Sequence, residues 1–155
     1  MITICKLFRF FILFLAYTIL VSCGDEKTQN KLYLVKIKDI DIKVELAIND
    51  AQRRKGLQNR ESIPEGFGML FCYGDNSVRS FWMRDTFMPL SIAFIEYDGT
   101  ISEIEDMKPL SEKRITSRLA VKFVLEVPQG FFKRNAIVEG DKVTIPEEIK
   151  KLKIE

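Results

Sequence analysis

Apolar and polar residues alternate along much of this chain with the two-residue period of half-buried strands. The stretch "LYLVKIKDIDIKVELAI" shows it first: Val35 and Ile37, then Ile42, Val44, Leu46 and Ile48, are separated by polar positions. The pattern predicts a strand pair turning at Asp39 to Asp41. Asn49 follows as a helix cap, with Gln52 at the reciprocal position three residues on, so a short helix is expected from about Asp50 to Lys55. Gly56 can end that helix or allow close packing. Pro64-Glu65-Gly66 is a turn, and "GMLFCY" (68–73) is a buried strand followed by a Gly74-to-Ser77 loop. "SFWMRDTFMPLSIAFIEYDGTISEIEDM" holds two or three strands, with its clearest hairpin turn at Asp98-Gly99. Residues 108–119 are polar and read as a long loop. "AVKFVLEV" is a strand closed by Pro128, "QGFFKRNA" one helical turn with a left-handed exit at Asn135, and "AIVEGDKVTI" a last strand or hairpin turning at Gly140-Asp141. "PEEIKKLKIE" is a charged tail that can form a frayed helix. Short strands and only one or two short helices predict a mainly β (α+β) fold, a compact curled antiparallel sheet or small barrel-like body.

The first residues break this pattern. Lys6 and Arg9 precede an uncharged apolar run, Phe10 to Ser22, that is 13 residues long. A helix needs about 20 residues to cross a bilayer, so the run fits the core of an export signal instead. Ser22 and Cys23 follow, and Leu20-Val21-Ser22-Cys23 resembles the lipobox of bacterial lipoproteins. The resemblance implies that the signal, residues 1–22, is removed and that Cys23 becomes a lipidated N-terminus, the protein's contact with the membrane. Residues 23–31 then form a tether, 32–146 a single globular domain and 147–155 the charged tail. The protein is thus expected to be exported and lipid-anchored at the cell envelope. Gly24 rather than Asp after the Cys favours the outer membrane over the inner one in a two-membrane host.

Composition narrows the function. Two of the 24 Lys and Arg lie in the leader and none of the 22 Asp and Glu do, leaving 22 of each sign in the mature chain. A balanced chain argues against nucleic-acid binding. Cys5 leaves with the signal and Cys23 is lipidated, so Cys72 has no disulfide partner. It reads as a buried small hydrophobe, with a reactive thiol as the alternative. Histidine is absent, which removes His metal sites and His-activated nucleophiles. No cofactor or metal is expected.

The segments "GFGMLF", "FWMRDTFMPLSIAFIEYDGTI", "KFVLEVPQG" and "VEGDKV", in this order, resemble the domain of unknown function 192 family over residues 35–145. The resemblance implies small exported or lipid-anchored proteins and carries no activity with it. The family commonly reads Asn where Asp85 stands and Asp where Ser91 stands. The pair is either a charge exchange within one site or drift.

Read as a strand, "SFWMRDT" puts Trp82, Arg84 and Thr86 on one face and Phe81, Met83 and Asp85 on the other. Arg84 beside Trp82 can hold an anionic or sugar-like ligand, the ring as a flat floor and the guanidinium as a two-pronged donor. Alternatively Trp82 is core and Arg84 pairs with Asp85 or Glu126. Arg60 either converges on that patch or ties the helix to the sheet. Glu126, among apolar strand residues, is costly unless paired; Arg60 or Arg84 is the expected partner, and a general base with a raised pKa the alternative. Ser117 matches a family serine but lacks a histidine to activate it. The candidate binding set is therefore Arg60, Trp82, Arg84, Asp85 and Glu126, with no residue assigned to catalysis. The leading expectation is a non-catalytic, lipid-anchored module that binds a small anionic or sugar-like ligand or an envelope protein. The alternatives are a carboxylate-based hydrolase or lyase on an envelope glycan, using Glu126, Asp85 or Asp106, and a structural protein without a pocket.

Overall fold

The computed structural model describes residues 31–154; the expected export signal, the expected lipidation site Cys23 and nearly all of the expected tether lie outside them. In chain order the elements are β1 (Tyr33–Ile37), β2 (Ile40–Ala47), α1 (Asp50–Lys55), β3 (Phe67–Ser77), β4 (Ser80–Phe81), β5 (Leu90–Ile95), β6 (Ile101–Met107), β7 (Ile115–Thr116), β8 (Val121–Pro128), α2 (Phe131–Arg134), β9 (Val143–Thr144) and α3 (Glu147–Lys150). Seven strands form one sheet in the order β6-β5-β8-β3-β2-β1-β9, and β4 pairs with β7 separately. All pairings are antiparallel except β2 with β3, whose connection passes through α1. Backbone hydrogen bonds join the two ends of the sheet: Ile101 N–H donates to Asp141 O at 2.9 Å and Val143 N–H to Gly99 O at 2.8 Å. The sheet therefore curls into a half-barrel, the mainly β body that the alternation predicts.

That curl makes two cores. Val35, Ile42, Leu70, Ala93, Ile101, Phe123 and Val143 come from every long strand and meet inside it, beneath Phe131 and Phe132 of α2 and Ile149 of α3. The opposite faces of β3, β5 and β8 carry Met69, Phe71, Ile92, Phe94 and Val124 into a second core, closed by Leu57 after α1 and by Phe81, Met83 and Met88. Strands buried on both faces explain the near-continuous apolar runs of "GMLFCY" and "LSIAFI". Phe71, Phe81 and Phe94 stack edge to face through this second core, at 5.0 and 6.1 Å between centroids.

Several local expectations shift. The β1–β2 turn falls at Lys38 and Asp39, with Lys38 at φ 55°, because Ile37 pairs with Ile40. β3 continues through the polar 74–77 stretch, with a register shift against β8 between Cys72 and Ser77. The left-handed exit from α2 is Ala136, φ 51°, since Asn135 stays at φ −102° and its side-chain amide caps Phe131 O at 2.8 Å. The charged tail holds α3, whose Ile149 is fully buried in the first core. The α1 cap forms as its spacing predicts: Asn49 Oδ1 accepts from Gln52 N at 2.9 Å, and Gln52 Oε1 reaches back to Ile48 N. Gly56 takes both roles open to it. It ends the helix at φ 46°, and a Cβ there would sit 3.4 Å from the Phe71 ring.

Candidate functional site

The second core opens to solvent as a cleft of about 600 Å3, a volume suited to a small organic ligand. α1 and the residues after it form one wall, from Asp50 to Gln58; residues 80–86 form another; Phe71, Tyr73, Arg114 and Glu126 complete the lining.

Trp82 is half-buried on this lining. The β4–β7 pair sets Ser80 opposite Thr116 and Phe81 opposite Ile115, which brings Trp82 alongside Arg114. The Arg114 guanidinium lies 4.8 Å from the indole centroid and that of Arg84 5.4 Å. One ring thus carries two cations. Arg84 has a distant ion pair with Asp85, 3.7 Å, both side chains more than half exposed; Arg114 has none among the described residues.

The expected strand through "SFWMRDT" ends at Phe81. Thr86 N–H donates to Met83 O at 3.1 Å, so residues 83–86 form a turn. Phe81, Met83 and Thr86 turn inward, Trp82 lies on the cleft, and Arg84 and Asp85 stand exposed at its rim. Met83 N–H to Ser111 O, Asn59 N–H to Asp85 O and Leu110 N–H to Thr86 O tie this turn to its neighbours at 2.8 to 3.0 Å.

Glu126 closes the cleft from its buried side. Phe123, Leu125 and Val127 of β8 face the first core, so Glu126 and Val124 project into the second, with Met69 and Ile92 as register partners of Glu126. Glu126 is 5% exposed and has no hydrogen bond or ion pair among the described residues. Burial alone pushes its pKa from 4.5 to about 8, so it is a neutral acid at pH 7. The expected partners are elsewhere. Arg60 donates both terminal nitrogens to Glu45 of β2, at 2.6 and 2.8 Å, in a separate smaller cleft, so of its two readings it follows the tie to the sheet and not convergence on Trp82. Arg84 is engaged at the rim.

Beside Glu126, Tyr73 is flanked by Arg79 at 3.8 Å and Arg53 at 5.0 Å from its ring. Asp75 holds Arg79 and Asp50 holds Arg53, each at 2.6 Å. Burial raises the Tyr73 phenol, and the nearby carboxyl of Glu126 adds to the shift. The cleft as a whole is lined by Arg53, Arg54, Lys55, Arg84 and Arg114 against the carboxylates of Asp50 and Asp85. It is a positively charged hollow with one flat aromatic face and a neutral carboxylic acid at its base.

A profile of the domain of unknown function 192 family, described as "Uncharacterized ACR", matches residues 33–145, almost the whole described body. The chain belongs to that family. It is similar to a protein of Sinorhizobium meliloti 1021 described as a "putative transcription regulator": identity is 37%, the TM-score is 0.66, and the match covers 71% of this chain and 88% of that one. It is also similar to a Novosphingobium aromaticivorans DSM 12444 protein of unknown function, at 28% identity and a TM-score of 0.70, over 74% of this chain and 85% of that one. No curated protein matches the chain.

In this family member Asp85 has φ 55°, a left-handed conformation that Asn and Asp tolerate better than other residues, so the Asn-to-Asp departure keeps the turn. Ser91 lies away from the cleft. Its hydroxyl donates to Asp106, its register partner on β6, and accepts from Gly130 N at 2.8 Å. The two departures are therefore not a charge exchange within one site. Asp106, a candidate acid or base, is tied up beside Ser91. Ser117 is structural: its hydroxyl accepts from Arg79 N and donates to Leu119 O. Cys72 is sealed, its thiol pushed up to about 12 by burial, in keeping with the buried-hydrophobe reading. The residues missed by sequence reasoning are Arg114, Tyr73 and Arg53. Arg114 sits in a polar loop, and only the two-residue β4–β7 pairing brings it to Trp82.

Proposed function

We propose that this DUF192 protein is a non-catalytic binding module, exported and anchored by a lipidated Cys23, that takes up a small anionic ligand with a flat or sugar-like body in the Trp82 cleft. The observation that carries the reading is the pair of guanidiniums, Arg84 and Arg114, over one indole. Both guanidiniums line the cleft beside the indole, so an anion entering there meets two cations next to an apolar ring. The balanced charge of the mature chain gives no support to nucleic acid as the ligand, unlike the transcription-regulator description of the Sinorhizobium relative.

Native mass spectrometry of the body from Lys31 onward, which holds both cores, tests the binding claim. A retained small acid that is lost in Arg114→Ala supports it, and a bare protein mass from every expression condition counts against it. The anchor has its own test. Protein expressed from the full sequence should begin at Cys23, carry acyl mass there and partition with membranes, and Cys23→Ser should carry no acyl mass; an unmodified chain beginning at Met1 would refute the anchor.

A further inference from the structure

Glu126 is the feature of the cleft that the two arginines do not account for. A carboxyl buried among Met69, Ile92 and Val124 with no partner among the described residues is costly to a fold, and no packing need explains it. Other acids of the second-core region are satisfied: Glu45 by Arg60 and Asp50 by Arg53. Its place on the cleft lining gives it a use, because an unmet donor at the buried end of a ligand-sized hollow becomes satisfied when the ligand arrives.

Resting on the binding role proposed above, we infer that the ligand is an acidic sugar, a six-membered ring bearing a carboxylate, and that Glu126 meets it from the buried side as a neutral acid donating a hydrogen bond to a ring or hydroxyl oxygen. Three features of the cleft divide the recognition. Trp82 supplies apolar contact to the sugar ring, Arg84 and Arg114 take the carboxylate, and Glu126 reads an oxygen on the far side. The chemistry is self-consistent only with a neutral Glu126. An ionised carboxylate would repel an anionic ligand and could only accept hydrogen bonds.

The surroundings leave that protonation to Glu126 itself. From β3 comes Tyr73, whose raised pKa keeps it neutral too. β5 offers the apolar Ile92. α1 brings Asp50 and Arg53, already paired, with Arg54 and Lys55 beyond them on the lining; the 82–86 turn brings Arg84 and Asp85, and the loop before β7 brings Arg114. With Glu126 titrating at about 8, its acid form falls from about nine-tenths at pH 7 to about one-tenth at pH 9, and an affinity that needs it falls about tenfold.

Trp82 is the chain's single tryptophan, so its fluorescence reports on the cleft. The titration uses D-glucuronate, D-glucose and acetate at pH 7 and pH 9, with wild type, Glu126→Gln and Glu126→Leu. The expected result is a response to glucuronate alone, about tenfold weaker at pH 9 in wild type, insensitive to pH in Glu126→Gln, whose amide still donates, and lost in Glu126→Leu. The wild-type pH arm stands even if a variant fails to fold. Glucuronate binding that is equal at both pH values and in Glu126→Gln and Glu126→Leu overturns the role of Glu126 while leaving the Trp82 cleft a binding site. Acetate binding as tightly as glucuronate overturns the sugar. Silence from all three probes and from vesicles carrying a glucuronosyl lipid overturns this inference, and the cleft reading falls with it only if native mass spectrometry also finds no retained acid. Vesicles carrying a glucuronosyl lipid separate the sources: binding to these alone assigns a membrane headgroup, binding to the free sugar a soluble or glycan-borne acid, and either supports the class.

Discussion

Replacing Glu126 by Gln should make the protein more stable at high pH, and by an amount the structure sets. The carboxyl ionises at 4.5 when exposed and at about 8 when buried in the fold. Between those values the folded state holds a proton that the unfolded state has released, so stability falls as pH rises through this window. The full penalty, at about 1.4 kcal/mol per pH unit, is on the order of 4 to 5 kcal/mol above pH 8, and little of it is present at pH 5. Glutamine has nearly the same shape and no charge to release. The assay is urea unfolding of the body from Lys31 at pH 5, 7 and 9 for wild type and Glu126→Gln. The stability of the variant relative to wild type should rise by about 4 kcal/mol from pH 5 to pH 9, most of it by pH 8. Asp75 and Asp98, both held below the usual carboxylate range by hydrogen bonds, titrate below this window in both proteins and cancel in the comparison. A difference that stays constant with pH, or that shrinks as pH rises, would refute a buried and unpaired Glu126.

Arg114→Ala should lower stability by no more than about 1 kcal/mol in urea unfolding, since Arg114 makes no ion pair among the described residues and loses only its contact with the Trp82 ring, yet weaken glucuronate binding ten- to a hundredfold for the loss of about 1.5–3 kcal/mol in a charged hydrogen bond; calorimetry of wild type and variant checks it. Arg60→Ala should do the reverse, costing about 1 kcal/mol of stability through the partly buried pair with Glu45 and leaving the cleft's affinity alone. Gly68→Ala should destabilise by about 2–3 kcal/mol in thermal unfolding, because the new Cβ would lie 2.4 Å from the Glu126 carbonyl oxygen where β3 passes β8.

Alternation and turn chemistry make most of the strands legible, because each depends on neighbours along the chain. The β1–β2 pair, the Asn49 cap and the Asp98-Gly99 turn, with Gly99 at φ 89°, all form where local patterning places them. Local reasoning fails where a distant element decides. β3 runs on through Gly74-to-Ser77 and regains its pairing with β8 at Ser77 and Val121, whatever the polarity of its own residues. The strand read through Trp82, Arg84 and Thr86 stops because the 83–86 turn is tied to the loops holding Asn59, Leu110 and Ser111.

The site divides in the same way. Trp82 and Arg84 stand out as a pair from their own stretch, and Glu126 from the cost of a carboxyl in an apolar strand. The partner of Glu126 could not be read so, since Arg60 is drawn away by Glu45, fifteen residues earlier in the chain, into its own cleft. Arg114 is 32 residues from Trp82 and reaches it through a pairing of two residues, too short to leave a periodic trace.

The claim on which the account turns is that Trp82, Arg84 and Arg114 form one ligand site, and a single indole makes it directly measurable. In a nitrogen–proton correlation spectrum of the body from Lys31, the one indole N–H peak and the Arg84 and Arg114 side-chain Nε–H peaks should move together on adding glucuronate, while the Arg60 Nε–H peak stays still. Movement centred on Arg60, with the indole peak unmoved, would contradict it.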